Sequence, residues 1–210
     1  RYKFSWSPIG VIKALNNNAK FISNSETKTV TPYKNINKYS VNNEVYESYP
    51  NRDSTPYIKE YNFDKNWKID EFVRGTLRLD GWEKAWSDIF DMLNKKSEDL
   101  EKQITKKSEQ LWIDNQYLKD EKDRVVLFVK LIAKKDKEVI FNRSYFLDET
   151  GSGENTAMGK LVSLTLSSSI DLMLENKLPT GVIAAPHDPE IIDYYFSTLI
   201  QNNIIIKTNI

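Results

Sequence analysis

The stretch Tyr49-Pro50-Asn51-Arg52-Asp53-Ser54-Thr55-Pro56-Tyr57 sets an arginine just ahead of a helix start. Thr55 suits an N-cap and Pro56 the first helical position. The first backbone N–H groups of a helix lack partners within it, and the helix dipole favours negative charge there. Arg52 adds a planar fork of donors that matches a carboxylate through two parallel hydrogen bonds. The spacing therefore predicts a small anion-binding corner. The alternative is that Arg52 pairs with a near acid such as Asp53 and only braces the turn.

A second group lies downstream in Phe72-Val73-Arg74-Gly75-Thr76-Leu77-Arg78-Leu79, which reads as a strand. Alternation puts Phe72, Arg74, Thr76 and Arg78 on one face. Arg74 and Arg78 would stand about 13 Å apart along it. Gly75 removes a side chain between them and suits a bulge or a close approach. The competing reading is an outward face that pairs with acids. A third group is Phe4 and Trp6, beside the helix start marked by Ser7 and Pro8. Aromatic rings there can pack an aliphatic ligand chain, or they can simply fill the core.

Other signals carry less. Gly151-Ser152-Gly153-Glu154-Asn155-Thr156 resembles the first part of a dinucleotide fingerprint, but Thr156 stands where the third Gly belongs. It is read as a loop that caps the next helix. His187 is the sole histidine, so a histidine metal site is not expected. Asn142-Arg143-Ser144 matches a glycosylation sequon but falls in a strand-like run.

The elements that must position these residues alternate. A helix should follow Pro8 and end at Asn16 to Asn18. Residues 19–48 read as loop with minor strands at Lys20–Ile22 and Val45–Glu47. Helices follow at Tyr57–Tyr61, after Asp80, and over Ser97–Leu111. Strand-like runs at Val125–Ile132 and Glu138–Phe146 form a hairpin. Thr156–Glu175 reads as a buried helix, Asp188-Pro189 opens a last one, and Ile204–Ile206 makes a final strand. This mixture is α+β, or α/β with a mixed sheet, in one domain spanning 1–210.

The chain has 210 residues, 40% of them hydrophobic, enough for a well-cored domain. Thirty basic residues balance thirty acidic ones. The balance gives no reason to expect nucleic acid or an anionic membrane as partner. No cysteine is present, which excludes disulfides and thiolate metal sites. No apolar run reads as membrane-spanning and no signal-peptide pattern opens the chain. The expectation is a cytoplasmic fragment of a longer protein.

Taken in order, YKFSWSPIGV, YPNRDSTPY, VRGTLRLDGW and TAMGKLV resemble the saccharopine dehydrogenase family, specifically the large C-terminal domain of its glutamate-forming enzymes. The resemblance implies a domain similar to the second domain of glyceraldehyde-3-phosphate dehydrogenase, with residues 84–124 a shortened helical insertion. It implies an N-terminal Rossmann domain elsewhere that binds NAD or NADP and supplies the proton-transfer residues. Residues 203–210 would return to that domain as a strand. It implies interconversion of saccharopine with glutamate and aminoadipate semialdehyde, and a domain that supplies much of the substrate site and any homodimer contact. By resemblance, Phe4 and Trp6 line the substrate chain and Arg52 binds one carboxylate. Arg74 with Thr76 binds or positions another, and Arg78 is a further candidate. No catalytic, cofactor-binding or metal-ligating residue is implied within this chain. The alternatives are a carboxynorspermidine dehydrogenase-like enzyme and a non-catalytic binding or assembly module.

Overall fold

The computed structural model describes residues 3–4, 6–152 and 155–209. They form two compact units, residues 1–117 and 118–210, where a single domain is expected from the sequence.

The first unit opens with helix α1 (Pro8–Asn16), which Pro8 starts as expected. Two hairpins follow: β1 (Ala19–Ser23) with β2 (Glu26–Val30), and β3 (Asn37–Val41) with β4 (Glu44–Pro50). The minor strands expected at Lys20–Ile22 and Val45–Glu47 lie in β1 and β4, and β2 and β3 take the place of the expected loop between them. Each hairpin turns on two residues with left-handed backbone, Asn24-Ser25 and Asn42-Asn43. Such pairs match the twist of the flanking strands, and Asn tolerates that region better than most residues. Short helix α2 (Pro56–Glu60) leads to β5 (Gly75–Leu79), which pairs antiparallel with β4. Helices α3 (Trp82–Ala85), α4 (Ser87–Lys95) and α5 (Leu100–Asp114) complete the unit.

The core of this unit joins Val11, Ile12 and Leu15 of α1, Tyr49 of β4, and Trp82, Trp86, Ile89, Leu93 and Ile104 of the later helices. The spacing of Trp82, Trp86, Ile89 and Leu93 puts one apolar stripe inward, as their helical periodicity predicts. Each fully buried Ile or Leu is worth about 1.5–3 kcal/mol. Glu47 of β4 is buried among them. Its Oε1 accepts from Gly81 N at 3.0 Å and Lys38 Nζ at 2.9 Å, and its Oε2 accepts from Glu83 N at 2.6 Å. One carboxylate thus closes the N-terminus of α3 from 34 residues away.

The second unit is built on a long hairpin of β6 (Arg124–Lys135) and β7 (Glu138–Thr150). The hairpin is as expected, and Asp136-Lys137 take the left-handed turn positions without a glycine. Helices α6 (Ala157–Leu174) and α7 (Pro189–Gln201) follow, and β8 (Ile206–Thr208) adds to β7. Asp188 caps α7 through Glu190 N. Thr156 caps α6 through Gly159 N, so the glycine-bearing loop is a helix cap as read; Gly153 and Glu154 lie outside the described residues. Asp123 adds both carboxylate oxygens, accepting from Ala157 N at 2.6 Å and Met158 N at 2.9 Å.

Two expectations fail at α6. The helix is not buried: Val162, Leu166, Ile170 and Met173 are exposed, while Ala157, Ser168 and Leu172 are covered. Only the stripe toward α7 and β6 finds partners, through contacts such as Ser169 Oγ with Tyr195 Oη at 2.7 Å. By length and composition the helix is also apolar enough to cross a membrane, contrary to the reading that no run is. Its charged ends are held within the unit, Lys160 by Glu149 at 2.8 Å and Asp171 by Tyr194 at 3.5 Å.

Among the described residues the three sheets are antiparallel, and one isolated parallel bridge joins Lys20 of β1 to Asp53, so the α+β reading holds.

Candidate functional site

The corner around Arg52 is stitched from three chain segments. β1 lies against it: Lys20 N donates to Arg52 O at 2.9 Å, and Ser54 N donates to Lys20 O at 2.7 Å. One step along, Ile22 and Phe72 exchange two backbone hydrogen bonds of 3.0 Å. Across the gap, Asn51 N donates to Arg74 O at 2.9 Å. Ser54 is fully buried, and its Oγ accepts from Arg74 N at 3.0 Å. The backbones of Arg52 and Arg74 are therefore fixed side by side, and both side chains are exposed.

Arg52 sits at φ 57°, in the left-handed region. A side chain there costs about 1–2 kcal/mol relative to glycine. Strain of this kind gathers at functional corners. Among the described residues no carboxylate pairs with Arg52 or with Arg74. Asp53 does not brace Arg52. Its Oδ1 accepts from Thr55 N at 2.8 Å and Thr55 Oγ1 at 2.7 Å, and its Oδ2 stands 3.9 Å from Lys20 Nζ. The Thr55 hydroxyl, with help from the Thr55 N–H and Lys20, holds the Asp53 carboxyl below its usual range.

The helix-terminus part of the expectation is overturned. The N–H groups at the start of α2 are all engaged: Thr55 N by Asp53, Tyr57 N by Ser54 O at 3.2 Å, and Ile58 N by Thr55 O at 3.3 Å. Pro56 has none. The start of α2 therefore presents no open N–H group, and the exposed guanidiniums of the corner are those of Arg52 and Arg74.

The strand expectation holds in part. β5 begins at Gly75, so Arg74 precedes it and does not share a face with Thr76 and Arg78 in a continuous ladder. Gly75 opposes Pro50 in regular register, and a side chain there would meet only Tyr49 O at an ordinary 3.4 Å, so no bulge is needed. Thr76 pairs with Tyr49 and is half-buried. Arg78 is 9% exposed and turns into the core. Its Nε and Nη2 donate to Tyr49 Oη at 3.2 and 3.0 Å, and its guanidinium lies 5.5 Å from the Trp82 ring.

The two aromatic candidates part. Phe4 is 3% exposed and packs on Trp86 with centroids 6.2 Å apart. Its ring is spent on the core and offers no surface to a ligand, which corrects its expected place along the substrate chain. Trp6 is 45% exposed, with its ring laid over Gly10. A Cβ at Gly10 would stand 3.2 Å from that ring.

Tyr57, not singled out from the sequence, joins this corner. Its ring carries the Arg74 guanidinium 3.8 Å from the ring centroid. Behind it Tyr61, Phe72, Phe63 and Trp67 form an aromatic row with neighbouring centroids 5.5–6.4 Å apart. The sequence signal was there, since Tyr57, Tyr61 and Phe63 follow the arginine corner directly.

No group of acidic, histidine or cysteine side chains among the described residues is arranged to hold a metal. The α6 N-terminus does not fit a dinucleotide either. Asp123 and Thr156 already occupy the Ala157, Met158 and Gly159 N–H groups, and Asp123 sets negative charge where a pyrophosphate would lie.

Fold and site together define an α+β domain with two exposed arginines, Arg52 and Arg74, on hydrogen-bonded segments, and with the first N–H groups of α6 already filled. The family model for the saccharopine dehydrogenase C-terminal domain matches residues 1–205, and the chain belongs to that family. It is 36% identical over 100 residues to the saccharopine dehydrogenase [NADP(+), L-glutamate-forming] of Schizosaccharomyces pombe, a match covering 43% of this chain and 20% of that enzyme. It is 36% identical over 90 residues to the mitochondrial alpha-aminoadipic semialdehyde synthase of Rattus norvegicus, covering 40% of this chain and 9% of that protein. These matched segments span 20% and 9% of the two curated relatives, so the chain corresponds to only part of their length. In structure it is similar to the apo saccharopine dehydrogenase (L-Glu forming) of Saccharomyces cerevisiae, with a TM-score of 0.77 and 21% identity, over all of this chain and 62% of that one.

Proposed function

We propose that this domain is the substrate-binding part of an NAD(P)-dependent saccharopine dehydrogenase, an oxidoreductase of lysine metabolism that interconverts saccharopine with glutamate and aminoadipate semialdehyde. The observation that carries the reading is the pair of exposed guanidiniums, Arg52 and Arg74, fixed on hydrogen-bonded segments with no carboxylate partner among the described residues. Saccharopine has three carboxylates and one secondary amine. Two guanidinium forks on one corner suit two of those carboxylates, and holding them fixes the amine relative to the rest of the site. Orientation of this sort raises effective concentration without any proton transfer by this domain. Trp6 supplies an exposed apolar face, and the Thr76 hydroxyl lies beside Arg74 in sequence.

NAD or NADP is assigned to an N-terminal Rossmann domain of the full-length protein. We place the acid and base there as well. β8 lies at the end of the β6–β7–β8 sheet, and we propose that this end of the chain meets the Rossmann domain. A homodimer contact through this domain is part of the same reading.

The test is NAD(P)H production by the full-length protein with saccharopine, with carboxynorspermidine run in parallel. Turnover of saccharopine alone is expected. Turnover of the polyamine alone would assign the arginines to another ligand. No turnover of either would favour a binding module.

A further inference from the structure

We propose that Tyr57 is a positioning residue for Arg74, holding its guanidinium ready for a substrate carboxylate. This rests on the substrate-binding reading of Arg74 given above.

Arg74 is an exposed side chain with four rotatable bonds, and its rotamer entropy is about 2 kcal/mol. Left free, it would lose most of that entropy on meeting a ligand. The Tyr57 ring takes one face of the guanidinium at 3.8 Å. Stacking by the face leaves every in-plane N–H donor pointing outward, which is the arrangement a bidentate carboxylate needs. A salt bridge in place of the ring would fix the arginine equally well but would consume those donors.

Both sides of the stack hang from one residue. Buried Ser54 accepts the Arg74 N–H through Oγ at 3.0 Å and the Tyr57 N–H through its carbonyl at 3.2 Å. Tyr57 is secured further by Tyr61, whose N–H donates to Tyr57 O at 2.8 Å and whose ring lies 5.5 Å from the Tyr57 ring. The tyrosine is therefore a fixed plate and the arginine the mobile group resting on it. The Tyr57 hydroxyl has no part in this, so phenylalanine should serve as well.

The experiment compares Tyr57→Leu, Tyr57→Phe, Tyr57→Trp, Arg74→Ala and the Tyr57→Leu/Arg74→Ala double variant in the full-length protein. Saccharopine KM and kcat are measured at saturating dinucleotide, with a thermal melt of each variant. Tyr57→Leu is expected to raise KM about 2- to 5-fold, the size of an exposed cation–π contact, with kcat within about twofold. Tyr57→Phe and Tyr57→Trp should keep KM at or below the wild-type value. The double variant should match Arg74→Ala alone, because Tyr57 acts only through Arg74. Wild-type KM for Tyr57→Leu beside a raised KM for Arg74→Ala would overturn the role of Tyr57 and leave the arginine reading standing. Effects that multiply in the double variant would also overturn it. An unchanged KM for Arg74→Ala would remove the arginine reading itself. If Tyr57→Leu melts early, the Phe and Trp variants decide: a KM raised in both would overturn the proposal.

Discussion

Replacing Arg52 by glycine separates what its backbone does from what its side chain does. At φ 57° the arginine carries a left-handed cost of about 1–2 kcal/mol that glycine does not. Glycine loses about 0.5–1 kcal/mol more backbone entropy on folding. The structural hydrogen bond at this residue runs from Lys20 N to the Arg52 carbonyl, and glycine keeps it. The net effect on stability therefore lies between zero and a gain of about 1.5 kcal/mol. For a chain of this size the melting temperature should stay level or rise by up to about 5 °C. The guanidinium is lost entirely. Hydrogen bonds to a charged group are worth about 1.5–3 kcal/mol, so the saccharopine KM should rise about 10- to 150-fold. Differential scanning fluorimetry and steady-state kinetics on the full-length protein read the two quantities in one preparation. A glycine variant that melts several degrees lower and keeps its KM would refute the reasoning, because Arg52 would then be a structural residue.

Glu47→Ala leaves the Gly81 and Glu83 N–H groups facing a buried gap, while exposed Lys38 keeps Asp80, and should cost about 2–4 kcal/mol in urea denaturation; a loss below about 0.5 kcal/mol would show that water replaces the carboxylate without penalty. Burial pushes the Glu47 carboxyl up, but the Glu83 N–H, Lys38 and the Gly81 N–H outweigh it, and the net shift is downward. A folded value below the unfolded one gives stability that is full above the unfolded carboxylate range and lost as pH falls through the folded value. The first unit should therefore melt earlier as pH drops from about 5 to 3, and Glu47→Gln should flatten that slope. Gly151→Ala would set a Cβ 2.4 Å from Asp123 Oδ1, whose carboxylate is pinned by Ala157 N and Met158 N. Overpacking there should cost about 1–3 kcal/mol, and an unchanged denaturation midpoint would mean that Asp123 is free to move.

The sequence was most legible where one signal sufficed. Pro8, the Trp82–Trp86–Ile89–Leu93 stripe and Asp188-Pro189 each mark a helix without help from the rest of the fold. Of the two hairpins over residues 19–50, the strand pieces Lys20–Ile22 and Val45–Glu47, inside β1 and β4, are legible, while β2 and β3 are polar and largely exposed, so no alternation marks them. Their turn dipeptides, Asn24-Ser25 and Asn42-Asn43, were the readable clue. Arg52 and Arg74 stand out in the sequence, but the open helix-start N–H groups expected beside Arg52 are not there. Asp53 turns back onto Thr55 and, with Ser54 and Thr55 carbonyls, fills the N–H groups that a helix start would otherwise present. Nor can local sequence tell which aromatics a distant helix will cover. Phe4 goes under Trp86, while Tyr57 stays at the surface to carry Arg74.

The central claim is that the Arg52 fork, and not merely its charge, holds a substrate carboxylate. The measurement that tests it most directly is the saccharopine KM of Arg52→Lys in the full-length protein, at saturating dinucleotide. Lysine keeps the charge and loses the planar pair of donors. The account predicts a KM raised about tenfold or more with kcat near wild type. A wild-type KM would contradict it and leave the corner as a site of general positive charge.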